Sequence, residues 1–420
     1  MAELGDARKE VARLRADVEE HRKKHDLSSA SVSQRDSDLA DARDALQKLR
    51  DYLASEYLAQ SRTSIAATDN PGGEAYYAYR IEENTTLPLT AEEVHRLGLS
   101  EVARINEARQ QAIAERGDRR PPVYKTKESL QAAWYEVGRK VDAAIGPLFL
   151  RQPETELRIE PYEPYREQFF LAASYQPGKA DGSRPGTFYF SGWNAAEREL
   201  SPSVRLYMHE GNPGHHFQVM FAVEDESLPD LLRHGWFTAY GEGWALYAES
   251  LGYELGLYDD PVERLKALEG GEMLRAVRLV VDTGMHALGW SREQAIEYMV
   301  ANGAAREFAE SESARYSVMP AQALAYKTGE LKIKQLRARA DQGVGAHERL
   351  HGPLRQLGRR RPAARLRVPR AAGRRDEPLA ARGHAAGPEL HVAAAAGRLG
   401  VQLHGARLDR RRRLLLGEHR

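Results

Sequence analysis

Leu206-Tyr207-Met208-His209-Glu210-Gly211-Asn212-Pro213-Gly214-His215-His216-Phe217-Gln218, read together with Gly241-Glu242-Gly243-Trp244-Ala245-Leu246-Tyr247-Ala248-Glu249, is where this chain carries chemistry. Three imidazoles and a carboxylate fall within the eight residues from His209 to His216. Neutral imidazole nitrogens and a carboxylate oxygen are the donors that zinc takes in a catalytic site that keeps one position open for water. The stretch therefore predicts a zinc-dependent hydrolase of the peptidase type, with one zinc per chain.

The spacing departs from a regular zinc helix. On a continuous helix, His-Glu-x-x-His places two imidazoles one turn apart on one face. Here His209 and His215 are six residues apart, with Pro213-Gly214 between them. An undistorted helix separates such positions by roughly 9 Å along its axis and turns them off a common face. Pro213 also lacks an amide donor and clashes with the carbonyl four residues back in a helix interior. The expected solution is a break at Gly211-Asn212-Pro213-Gly214 that returns His215 to the side of His209, with His216 as the alternative second imidazole. The third ligand is sought at Glu242 or Glu249, which lie two turns apart on one helical face. Glu210 is then free to act as general base.

Composition narrows the partners. Lys+Arg and Asp+Glu both number 61, but residues 341–420 hold 18 arginines, no lysine and seven acids, so an acidic body carries a basic end. The chain has no cysteine, so a metal site must use His and Asp/Glu. No apolar run is long enough to span a bilayer, and Met1-Ala2-Glu3-Leu4-Gly5-Asp6 lacks a signal-peptide pattern. The expected location is cytoplasmic as written, or secreted or periplasmic if a leader is missing. The expected partner is a peptide or small amide substrate, with no nucleic acid and no membrane span; the oligomeric state stays open.

Along the chain, residues 1–60 have helical character, with Val11, Leu14 and Val18, then Leu39, Leu46, Leu49, Leu53 and Leu58 among dense charge. A polar break over Leu27–Gln34 divides them into a helical hairpin packed on the body. A helix follows over 74–83. Thr90-Ala91-Glu92-Glu93 is a capping box opening a helix to about Arg116, and another helix is expected over 127–145. Strands are expected only between 155 and 192: Leu157–Glu160, Phe169–Tyr175 and Gly186–Ser191. An edge of that small sheet offers a place for a peptide backbone by strand addition. Helices are expected again over 235–256, 261–287, 291–302 and 303–317, then one more after a break at Tyr316–Pro320. Trp236, Trp244 and Trp290 are expected in the core. The fold class is mainly α with a small β-sheet, α+β.

Four ordered motifs carry a resemblance: His-Glu-Gly-Asn-Pro-Gly-His-His, Gly-Glu-Gly-Trp-Ala-Leu-Tyr-Ala-Glu, Asp282-Thr283-Gly284-Met285-His286 with Gly289-Trp290, and Arg315-Tyr316 through Gly329. Over roughly residues 70–340 the chain resembles the bacterial family catalogued as domain of unknown function 885. That family is similar to the gluzincin metallopeptidases, whose third zinc ligand is a Glu on a following helix. The resemblance implies a zincin-like helical architecture, with His209, His215 and Glu242 as ligands, His216 as the alternative, and Glu210 as base.

A tetrahedral intermediate also needs donors aimed at its oxyanion. Tyr316, His286, Arg315 and Tyr326 are the candidates. The expected organisation is a truncated N-terminal helical segment over 1–70, a catalytic domain over 71–340, and an Arg/Ala/Gly-rich tail over 341–420. That tail contains none of the chain's aromatics, a composition a shifted reading frame in a GC-rich gene produces. Besides peptide hydrolysis, hydrolysis of esters or non-peptide amides and a catalytically inactive binding scaffold are the competing readings.

Overall fold

The computed structural model describes residues 29–149, 151–168, 173–198 and 200–351. The chain divides into two units, Met1–Ser64 and Ile65–Arg420. In the first, helix α1 (Ser29–Tyr52) continues through a π-helical turn, Leu53–Tyr57, into Leu58–Gln60. The break expected over Leu27–Gln34 is not where the sequence places it, because Ser29–Gln34 are already helical. Side-chain pairs one turn apart support the helix, as in Gln34 Nε2 to Asp38 Oδ1 at 2.8 Å. The first arm of the expected hairpin lies outside the described residues.

The second unit begins with α2 (Gly73–Thr85), α3 (Ala91–Arg116) and α4 (Lys127–Ile145). The capping box read at Thr90 forms: Glu93 N donates to Thr90 Oγ1 at 3.2 Å, and Thr90 N donates to Glu93 Oε2 at 2.8 Å. Three short strands follow, β1 (Leu157–Pro161), β2 (Ser174–Gln176) and β3 (Gly186–Phe190). Their order is β1-β3-β2, with β1 parallel and β2 antiparallel to the central β3. Part of the strand expected over Phe169–Tyr175 lies outside the described residues; the paired part is β2. Helix α4 packs on the sheet, and its Gln131 Nε2 donates to Ile159 O at 2.7 Å. The fold is thus mainly helical with one small sheet.

Next come α5 (Val204–Glu210), α6 (His215–Glu224), the short turn Asp230–His234, and α7 (Thr238–Glu254). The helix expected over 261–287 divides into a short helix Pro261–Lys266, a π-helical segment Ala267–Met273 and α8 (Leu274–Ala287). The unit closes with α9 (Arg292–Ala301), α10 (Arg306–Val318) and α11 (Ala325–His351), so the boundary expected at 340 falls inside a helix. The rest of the expected tail, 352–420, lies outside the described residues.

One core cluster joins the sheet and α4 to the helices that carry the motif, through Trp134, Phe188, Phe190, Tyr207, Met208, Phe217 and Trp244. A second joins α3 to α8 and α9 through Val102, Ile105, Val277, Val281, Ile296 and Met299. Helices α7 and α11 meet backbone to backbone: a Cβ on Gly243 would stand 2.5 Å from Gly329 Cα. That contact excludes any side chain from the crossing and fixes α7, with its two glutamates, against the longest helix of the body.

Candidate metal centre

Helix α5 ends at Glu210, and the chain turns through Gly211, the cis Asn212–Pro213 bond and Gly214 before α6 starts at His215. The turn doubles back on the end of α5. A Cβ on Gly214 would lie 2.0 Å from the carbonyl oxygen of His209, so only glycine fits there. Two side chains pin the turn: Trp244 Nε1 donates to Pro213 O at 2.7 Å, and Asn212 Nδ2 donates to Asp142 Oδ1 at 3.1 Å. The result puts the His209 and His215 rings 4.8 Å apart, edge to face.

Helix α7 supplies the carboxylates. Glu242 Oε2 lies 3.6 Å from His209 Nε2 and 3.5 Å from His215 Nε2. One ligand atom from each of His209, His215 and Glu242 falls within 4.8 Å of the others. Ligands about 2.0–2.1 Å from a tetrahedral zinc stand roughly 3.4 Å from one another, so the two short edges already match a zinc-sized site. Two turns on, Glu249 Oε1 meets the other nitrogen of the same ring, His209 Nδ1, at 2.8 Å. With Nδ1–H donating to Glu249, the Nε2 lone pair faces Glu242 and a cation, the arrangement behind a ligating histidine that fixes its tautomer.

The electrostatics agree. Burial alone would lower the His209 imidazole, but the Glu242 and Glu249 carboxylates outweigh it and hold it at about 9. Burial likewise raises the Glu242 carboxyl, yet His209 and His215 bring it well below the ordinary carboxylate range. Burial opposes ionisation of Glu249 too, and Arg275, His209 and Arg205 overcome it. The cluster is thus a buried site organised around charge, with acceptors left over: Glu249 Oε2 has no hydrogen-bond partner among the described residues.

The remaining candidates divide sharply. Glu210 is buried beside His209, and its charge acts on the His209 ring and on Tyr162. His216 faces the sheet instead of the cluster: its Nε2 lies 3.1 Å from Thr155 O and its Nδ1 3.1 Å from Tyr175 Oη. Burial lowers it to about 4, so it is neutral and fully engaged as a strut between α6 and β2. His286 is closed by backbone: Ala67 N donates to Nδ1 at 3.0 Å, and Nε2 lies 2.9 Å from Tyr316 O. Tyr316 is fully buried, donating to Glu312 and accepting from Arg278 Nε. Arg315 binds Glu312 and Gln322. The structure therefore does not bring His286, Tyr316 or Arg315 to the metal group, because each already has partners in its own packing layer.

Tyr326 is different. Its ring lies under the guanidiniums of Arg278 and Arg275, at 4.7 and 5.6 Å from the ring centroid. Burial and the nearby Glu242 charge raise its phenol against the pull of Arg278. Of the four oxyanion candidates it is the one coupled to the ligand group. The sequence carries no signal for Arg205 and Arg275, which stand 3.8 Å from Glu249. Trp236, expected in the core, is 52% exposed and lies 5.8 Å from the His215 ring. Its exposure has no sequence signal either, since only the packing of α7 decides which indole faces inward.

The bacterial family described as "Bacterial protein of unknown function (DUF885)" matches residues 4–351. Among solved structures, the chain is similar to a protein titled a "putative lipoprotein" from Colwellia psychrerythraea, with a TM-score of 0.68 and 32% identity. That match covers 74% of this chain and 55% of the other. A second "putative lipoprotein of unknown function", from Shewanella oneidensis, shares the fold at a TM-score of 0.56 and 18% identity, over 79% of this chain and 63% of that one. The chain thus spans between half and two thirds of the length of either relative. Among curated proteins, none matches. No described helix is long and apolar enough to cross a membrane.

Proposed function

The chain belongs to the bacterial family of unknown function DUF885, and on that footing we propose that it is a zinc-dependent hydrolase of peptide bonds. The observation that carries this reading is the convergence of His209, His215 and Glu242 at zinc-ligand spacing, with Glu249 oriented behind His209. These three residues would hold the ion. When bound, zinc supplies Lewis acidity toward a carbonyl oxygen and makes a coordinated water more acidic.

The chain's own residues supply the rest. Glu210 follows His209 directly, and its carboxylate takes the proton from the attacking water and later returns it to the leaving amine. Glu249 keeps His209 in the tautomer that offers Nε2. The Tyr326 hydroxyl donates a hydrogen bond to the developing oxyanion. The gluzincin-like arrangement inferred from the motifs and the titles of the two structural relatives make an extracytoplasmic location the reading we favour over a cytoplasmic one.

The test is metal analysis of the purified chain, followed by hydrolysis of a peptide library by the wild type and Glu210→Gln. One zinc per chain and hydrolysis abolished in the variant are expected. A chain that retains no zinc after dialysis against trace zinc overturns the reading. So does a Glu210→Gln variant that cleaves peptides at the wild-type rate.

A further inference from the structure

Just ahead of α7 and its metal ligand Glu242, the segment from Leu231 to Phe237 forms an apolar lip that the reaction leaves unused. Leu231, Leu232, Trp236 and Phe237 are 72%, 45%, 52% and 52% exposed. Four large apolar side chains standing open within one short segment cost solvation free energy, and such exposure beside a site marks a binding surface. The segment is also held in place. Arg233 Nη2 donates to Val223 O at 2.7 Å, anchoring the turn Asp230–His234 to α6. The Trp236 ring packs edge-on against α7, where a Cβ on Gly241 would stand 2.2 Å from its Cη2. On its other side the ring meets His215 at 5.8 Å between centroids, tilted by 54°.

One indole therefore touches a metal-ligand imidazole and the residue before the carboxylate ligand, while half of it faces solvent. We infer that Trp236, with Leu232 and Phe237, forms the substrate subsite next to the scissile bond and selects peptides with a bulky apolar side chain there. This inference rests on the hydrolase reading of the same site. The occupant is a side chain of the substrate, because the lip is continuous with the ligand group through Trp236 and His215. A fixed aromatic wall recognises an aromatic or branched aliphatic group by area and ring packing. An acidic or glycyl residue gains nothing from it.

The experiment uses the zinc-loaded full chain and short end-blocked peptides that differ only in the residue flanking the scissile bond, with Phe, Leu, Gly or Asp. The expected kcat/KM for the Phe and Leu peptides exceeds that for Gly by about 10- to 100-fold, the range that apolar pockets give. Trp236→Ala removes that preference through the Phe and Leu peptides while the Gly peptide changes less than about twofold, and Trp236→Phe restores most of it. Zinc content serves as the control for an intact site. A second measurement follows binding of the same peptides to zinc-loaded Glu210→Gln by the fluorescence of Trp236, taken as the difference from the Trp236→Phe form. Preferential binding of the Phe peptide without any hydrolysis by the wild type would sink the hydrolase reading and leave the subsite standing. Equal rates and equal binding for Phe and Gly peptides overturn the subsite. It is overturned as well if the Trp236 signal answers to phosphatidylcholine vesicles and to neither peptide, which would make the lip a membrane contact.

Discussion

His209 and His286 are both buried, both on helices and both engaged at each ring nitrogen, yet their surroundings differ in kind. Around His286 the partners are a backbone amide and a backbone carbonyl, which close the ring in one neutral tautomer. Its neighbour Asp282 is closed as well, accepting from Tyr77 Oη at 2.7 Å and Ala321 N at 3.0 Å. Around His209 the partners are two carboxylates, with a second imidazole at their side. Neutral donors and acceptors matched one to one describe a finished structural joint. Converging charges with orphaned acceptors describe a place built for a cation. Burial does not separate the two regions; the identity of the partners does.

Substitutions break this comparison in opposite ways, and the largest effect falls on catalysis. Glu210→Gln is expected to lower kcat by about 10²- to 10⁴-fold with the zinc content and melting temperature unchanged, as steady-state kinetics and metal analysis will read. In the closed region, His286→Ala strands Ala67 N and Tyr316 O and leaves a void. It is expected to cost about 4 kcal/mol in urea unfolding, while the folded fraction still binds one zinc.

Acid sharpens the contrast next. Burial would raise Glu312, but the Arg315 hydrogen bonds and the Arg278 charge bring it down to about 2. A carboxylate depressed in the folded state stabilises above its unfolded value and loses that contribution as pH falls toward the folded one. Wild-type stability is therefore expected to fall by about 3 kcal/mol between roughly pH 5 and pH 2 from this group alone. A Glu312→Gln chain lacks that part of the slope, which pH-dependent denaturant titration detects. The smallest effect returns to the metal side: Glu249→Gln keeps an acceptor on His209 Nδ1 but removes the charge, and zinc affinity in competition with a chelator is expected to weaken about tenfold. An unchanged affinity there would mean that Glu249 belongs with the closed region after all.

Much of this was legible before the fold. The capping boxes at Thr90 and Ser291 mark helix starts because their chemistry is local. Pro213-Gly214 announces a break because proline forbids the helix at that point whatever surrounds it. The three strands stand out as β-prone runs between turns. What stayed hidden depends on how elements rotate against one another. Glu242 and Glu249 share a helical face, and only the seating of α7 on α5 decides that one meets Nε2 and the other Nδ1 of the same ring. The same holds for Trp236 and Trp244, one open and one buried on neighbouring segments. Lys327 and Glu330 read as an ordinary solvated pair, yet both are fully buried, 2.6 Å apart, beside Glu101 of α3 and Glu272 of the π-helical segment.

The contact of Gly243 with Gly329 has a bearing on ion choice. With no side-chain layer between α7 and α11, the crossing has nothing compressible in it, and Glu242 sits one residue from the point of contact. The span from Glu242 to the two imidazoles is then set by the course of the main chain, not by rotamers that can relax. A search for forms that prefer a larger divalent ion should accordingly yield changes at positions 243 and 329, where one added methyl group moves a whole helix, before it yields any at the ligands themselves.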